Sequence, residues 1–132
     1  CCSAFYNLIC SSKFRQTLGR MSSERLKLIK EMLETNPEDS FLQYAAAIEY
    51  ENLGNKKTAI TTITKLLDRD PDYLGAYYKL GKLLEEEGKE KEAIKIYRRG
   101  LEVSKKVSDL KTEGELSEAL MLLGADDEIS WN

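Results

Sequence analysis

The chain has 132 residues, a formal net charge of −3, 42% apolar residues, 33% charged residues and no histidine. That composition suits one ordered domain of ordinary size and excludes a disordered acidic or basic chain. No run approaches the roughly 20 consecutive apolar residues that would cross a bilayer.

Three basic residues, Lys13, Arg15 and Arg20, precede Met21 without an acidic one. The rest of the chain is therefore acidic, which argues against binding to nucleic-acid phosphates. All cysteines lie in the first ten residues, at Cys1, Cys2 and Cys10. Their spacing matches no zinc signature, and the cysteine-free remainder fits a reducing compartment, so a cytoplasmic location is expected.

Residues 1–21 read as a separate extension. The stretch CCSAFYNLICSSKFRQTLGR shows neither helical periodicity nor clean alternation. It reads as an extension upstream of Met21, a lightly packed tail, or the end of a membrane-targeting element. Cys1 would suit a lipidated terminus, with no preceding signal segment visible in support. No function is placed there.

A helical domain is expected over 22–124. Its first helix covers 23–35, capped by Ser22 or Ser23, with Leu26, Leu28, Ile29, Met32 and Leu33 as its apolar side. Asn36-Pro37 ends it. A second helix covers about 40–53, with Ala46, Ala47 and Tyr50 packed, and Gly54-Asn55 turns the chain. A third covers about 56–68. Thr58, Thr61, Thr62 and Thr64 lower its intrinsic helicity, so packing must hold it through Ala59, Ile60, Ile63, Leu66 and Leu67. Asp70-Pro71 closes it.

The pattern then recurs, with helices at 74–87 and 90–105 and a turn at Gly88. A shift of 34 aligns Pro37 with Pro71, Gly54 with Gly88, Ala59 with Ala93, Ile60 with Ile94, Ile63 with Tyr97 and Leu67 with Leu101. Repetition at this period marks stacked helix pairs, each burying a face that it cannot bury alone. A last helix at 112–123 carries Leu116, Ala119, Leu120 and Leu123 on one side and stops at Gly124. Residues 125–132 form an acidic tail containing Trp131.

LGAYYKLGKLLEEEGKEKEAIKIYRRGLEVSK resembles a tetratricopeptide repeat. Tyr77, Leu80, Gly81, Leu84, Ala93, Tyr97 and Gly100 match the family's packing positions, with glycine where alanine is usual at 100. SFLQYAAAIEYENLGNKKTAITTITKLLDRDP resembles the same repeat through Gln43, Ala46, Ala47, Tyr50, Ala59, Ile63, Leu66 and Pro71. Gln43 departs where an aromatic is usual, and Leu66 exceeds the usual alanine. The resemblance implies an all-α fold of about six helices: a short right-handed α-solenoid of antiparallel helix pairs. The units would be a half-repeat helix at 23–35, repeats at 40–71 and 74–105, and a capping helix at 112–123.

The resemblance also implies a non-catalytic module that binds a protein or peptide on its concave side. The groove would be lined by Phe41, Tyr44, Ile48, Glu51 and Asn52, then Gly75, Tyr78, Lys82, Glu85 and Glu86. The partner-binding candidates are Tyr44, Ile48, Tyr78, Lys79, Lys82 and Glu85. Phe41, Tyr44 and Ile48 either form an apolar contact surface or are covered by the helix at 23–35. Lys89, Lys91, Lys95, Arg98 and Arg99 read either as a solvated basic face with short-range ion pairs or as a site for an acidic peptide, and are too short a set for nucleic acid. Asp68, Asp70 and Asp72 lack the glycine and distant glutamate of a calcium loop and read as a helix-ending turn. No cofactor, metal, nucleic-acid or membrane partner is expected. A self-associating adaptor, including a homodimer, is the alternative; an enzyme of unknown class is a remote third.

Overall fold

The 34-residue spacing reappears as a repeat of backbone hydrogen bonds. The computed structural model describes residues 12–125, with side chains from Arg20 onward. The described residues form six helices and no strand: α1 Ser12–Thr35, α2 Ser40–Asn52, α3 Lys56–Arg69, α4 Leu74–Glu86, α5 Glu90–Val107 and α6 Leu110–Leu122. Asp39 N–H donates to Asn36 O after α1, and Tyr73 N–H donates to Asp70 O after α3. These equivalent turns surround Pro37 and Pro71, which cannot continue a helix from the residue before them.

α2, α4 and α6 each run 13 residues. After α2, Asn55 N–H reaches Tyr50 O at 2.9 Å; after α4, Lys89 N–H reaches Leu84 O at 2.8 Å. Both turns pass through a left-handed glycine, Gly54 at φ 81° and Gly88 at φ 78°. A side chain would be strained there, and the reverse bonds satisfy carbonyls left open at the helix end.

The chain divides into two compact units between Ala59 and Ile60, inside α3. In the first, α1 packs on α2. Leu26, Leu42, Ala46 and Ala47 are buried. Asp39 caps α2 by accepting from Leu42 N–H at 3.0 Å. Asn55 caps α3 by accepting from Thr58 N–H at 3.3 Å.

α1 departs from expectation. It is continuous from Ser12, so Ser22 and Ser23 do not begin it. Ser22 is buried in the helix interior, and its hydroxyl accepts from Arg25 Nη2 at 3.4 Å. No proline interrupts the helix, and serine is only a mild helix breaker. Leu28 and Met32, expected on the packed side, are 59% and 54% exposed. The buried Leu26 lies on the other side of the helix wheel.

In the second unit, α4 packs on α5, α5 on α6, and α6 also touches α4. The short turns make consecutive helices antiparallel. Tyr77, Leu80 and Leu84 from α4 meet the core that holds Tyr97 and Leu101 from α5 and Leu116 and Leu120 from α6, all buried. Full burial of a large side chain stabilises by about 1.5–3 kcal/mol. Ala76 and Leu83 are also buried, beyond the residues the repeat pattern marked.

Two glycines permit the α4–α5 approach. A Cβ on Gly81 would lie 2.1 Å from Tyr97 Cε1, and one on Gly100 would lie 2.6 Å from Tyr77 Cβ. Each helix thus offers a glycine to the other's tyrosine.

α5 ends later than expected, at Val107, through Ser108 at φ 58°. α6 starts earlier, at Leu110, because Asp109 caps it: Oδ1 accepts from Thr112 N–H at 3.2 Å and Oδ2 from the Thr112 hydroxyl at 2.8 Å. These bonds, the hydroxyl's first, lower the Asp109 pKa. Leu123 is half-buried rather than packed. The cysteines and Trp131 lie outside the described residues.

Candidate functional site

Tyr77 and Tyr78 are adjacent on α4 and point to different surroundings, because successive helical residues are about a hundred degrees apart. Tyr77 is fully buried, and its hydroxyl donates to Pro71 O at 2.6 Å. Burial raises its pKa, partly offset by Arg99, whose guanidinium lies 5.9 Å from the ring centroid. Tyr78 is half-buried, as are Lys79, Lys82 and Glu85.

Tyr78, Lys82 and Glu85 form one cluster. Lys82 Nζ stands 5.7 Å from the Tyr78 ring centroid and 3.6 Å from Glu85 Oε1. The Tyr97 hydroxyl donates to the same Oε1. The Tyr97 ring lies 6.2 Å from that of Tyr78, tilted by 41°. Tyr97 therefore joins a fully buried ring to the accessible cluster. Burial first, then the bond to the Glu85 carboxylate, raise its pKa far above the ordinary tyrosine value. Sequence reasoning placed Tyr97 only in the core. The helical spacing of Tyr78, Lys82 and Glu85 marked the face but not the hydroxyl arriving from α5.

Tyr44 and Ile48 belong to the first unit, where both are half-buried on α2. Burial, then Glu51, raises the Tyr44 pKa. Phe41, in the first turn of α2, is 68% exposed, so α1 does not cover it. An unanticipated ion pair lies nearby in sequence: Arg25 Nε stands 3.0 Å from Glu49 Oε1. Glu49 is only 8% exposed. Lys30 Nζ stands 5.4 Å from the Tyr50 ring centroid.

The basic set on α5 is not wholly a solvated face. Arg98 Nη2 donates to Ala125 O at 3.4 Å, holding the chain after α6, and Arg99 lies over Tyr77. Asp70 lies in the turn after α3, where its N–H donates to Leu66 O at 2.7 Å. Concavities at 35–39 and 88–92 are lined by turn and helix-end residues and do not include the α4 cluster. Among the described residues, no group of His, Cys, Asp or Glu side chains could hold a metal ion, and no helix is long and apolar enough to cross a membrane.

Paired helices repeated at 34 residues, with glycine–tyrosine contacts inside a pair and a polar-aromatic face outside it, define a helical-repeat binding protein. The tetratricopeptide repeat family model matches residues 42–73 and 74–107. The chain belongs to the tetratricopeptide repeat family.

The crystal structure of a tetratricopeptide repeat domain protein from Salinibacter ruber is 36% identical, covering 65% of this chain and 96% of that one, with a TM-score of 0.62. A solution structure of a tetratricopeptide repeat domain protein from the same organism is 38% identical, covering 66% and 88%, with a TM-score of 0.64. The Yersinia enterocolitica type III secretion translocator chaperone SycD shares the fold at 16% identity, covering 96% and 88%, with a TM-score of 0.71. No curated protein matched the chain. The protein is a non-catalytic protein- or peptide-interaction module with an all-α fold.

Proposed function

We propose that the protein binds a peptide or protein segment through Tyr78, Lys79, Lys82 and Glu85 on α4 of the second unit. By the 34-residue register, Tyr44 and Ile48 hold the positions of Tyr78 and Lys82 on α2 of the first unit. The observation that carries this reading is the half-buried cluster in which Lys82 meets both Tyr78 and Glu85. An aromatic face and a charge pair at a helix surface offer a partner apolar area and directional contacts together. Immobilised protein should capture a partner from its native lysate, and Tyr78→Ala and Lys82→Glu should each lose it. Capture retained by both variants would remove this surface from consideration. A cytoplasmic setting is part of the same reading, supported by the absence of cysteine after residue 10.

A second reading, self-association, draws on Leu28 and Met32, one turn apart and more than half exposed on α1. Light scattering should then give twice the chain mass, and Met32→Lys should return the monomer. A monomer at all concentrations rules this reading out.

A further inference from the structure

Four helical glycines of the second unit divide by their surroundings. Gly81 and Gly100 are demanded by the tyrosines against them. Gly75 and Gly114 are exposed, and a Cβ on either would meet nothing within 4 Å. Glycine inside a helix is about 1 kcal/mol less favourable than alanine, and no close packing at these two positions offsets that.

α6 repeats α4 at an offset of 36, aligning Leu80 with Leu116, Leu84 with Leu120 and Gly88 with Gly124. In this register Gly114 is the counterpart of Tyr78, and Gly75 lies three residues before Tyr78 on the same helix face. A side chain is therefore absent one turn before Tyr78 on its own helix and at the matching place on α6.

Beside that ring stands a carboxylate. An aromatic face next to a carboxylate is a seat for a cation, and Lys82 already occupies it. Further along, Met121 and Leu122 are the α6 counterparts of Glu85 and Glu86, and they are 60% and 75% exposed. Most of the unit's other basic side chains lie on α5, while α4 and α6 carry Lys79 and Lys111 beside Glu85, Glu86 and Glu118.

We propose that Tyr78 and Glu85 seat an arginine from the partner segment, which displaces Lys82, while an apolar side chain of that segment rests on Met121. This rests on α4 being the contact surface. A guanidinium stacks on an aromatic plane and pairs with a carboxylate as a fork, which an ammonium cannot do. Lys82 and Tyr97 both contact Oε1 of Glu85, so Oε2 is the second acceptor for the fork. At the seat itself an acidic side chain would meet the Glu85 carboxylate and a lysine already engaged with it.

The probe is an acetylated, amidated heptapeptide with one arginine among leucines, together with its citrulline and glutamate versions. Each is titrated into the isotope-labelled full chain while backbone amide resonances are followed. The arginine peptide should move Gly75, Tyr78 and Gly114 and bind about tenfold more tightly than the other two. Glu85→Gln keeps an acceptor for Tyr97 and should erase most of that preference. Gly114→Gln, which places a side chain at the α6 counterpart of Tyr78, should weaken binding while the fold persists by circular dichroism. Equal binding of arginine and citrulline peptides, an arginine preference that survives Glu85→Gln, or no movement at Tyr78 overturns the proposal. If the glutamate peptide moves Tyr78 instead, the α4 surface stands and the arginine assignment falls. Partner capture that depends on Tyr78 without any arginine-peptide binding has the same meaning.

Discussion

Gln43 and Tyr77 occupy the same position in successive repeats and make the same bond. Gln43 Nε2 donates to Pro37 O at 2.9 Å, and the Tyr77 hydroxyl donates to Pro71 O at 2.6 Å. Each ties its helix to the proline turn six residues earlier. Only Tyr77 adds a buried ring, which packs against Gly100. Tyr77→Phe keeps the ring and removes the bond, so urea denaturation should show a loss of about 1 kcal/mol. Tyr77→Gln substitutes the first repeat's residue but leaves a cavity, with an expected loss of about 3 kcal/mol. Equal losses would locate the stabilisation in the turn bond and not in the ring.

One substitution should change sign between positions of the same unit. Gly81→Ala drives a methyl into Tyr97 and Gly100→Ala drives one into Tyr77, both against close-packed side chains. Each should destabilise by about 1–3 kcal/mol, despite alanine's better helix propensity. Gly75→Ala and Gly114→Ala meet nothing within 4 Å and should stabilise by about 0.5–1 kcal/mol. Thermal or urea unfolding of the four variants checks this, and a common sign for all four would defeat it.

The same glycines mark where the sequence was readable. The 34-residue offset exposed the helix pairs, their turns and the packing positions from Ala59 to Leu101, because small and large residues recur where helices cross. The offset of α6 is 36, since α5 runs to Val107, and this hid the correspondence between Gly114 and Tyr78. The continuous α1 was hidden because two serines before a periodic stretch look like a cap. Tyr78, Lys82 and Glu85 were legible as one face by their spacing. The Tyr97 hydroxyl was not, since its ring matches a core position and only the α4–α5 packing carries its tip to Glu85.

Arg25 and Glu49 lie 24 residues apart and each reads as a surface charge in isolation. By the 34-residue register, Arg25 stands where Ala59 and Ala93 stand, and Glu49 where Leu83 stands. The pair thus replaces a small residue and an apolar one at positions buried later in the chain. Arg25→Ala alone should leave Glu49 poorly solvated and lower stability by about 1–2 kcal/mol. Adding Glu49→Leu restores the pattern of the later repeat and should recover that loss. A double-mutant cycle by chemical denaturation measures the coupling. If the double variant is no more stable than Arg25→Ala alone, the ion pair is not a substitute for the apolar contact.

Alkali should reveal the join between core and face. Burial and the bond to Glu85 keep the Tyr97 phenol protonated far above the ordinary tyrosine pKa of about 10, and burial raises Tyr44 and Tyr77 in the same direction. The folded chain therefore holds these protons more tightly than the unfolded chain. Their contribution to stability is complete below about pH 10 and is lost as the pH climbs towards the folded values. Stability measured by urea should fall through this alkaline range, and Tyr97→Phe, which cannot ionise, should flatten the fall. Phenolate absorbance should show some of the seven tyrosines ionising only as the chain unfolds. An unchanged alkaline slope in Tyr97→Phe would mean that its hydroxyl is solvated, and that the Tyr97–Glu85 bond does not join the core to the α4 cluster.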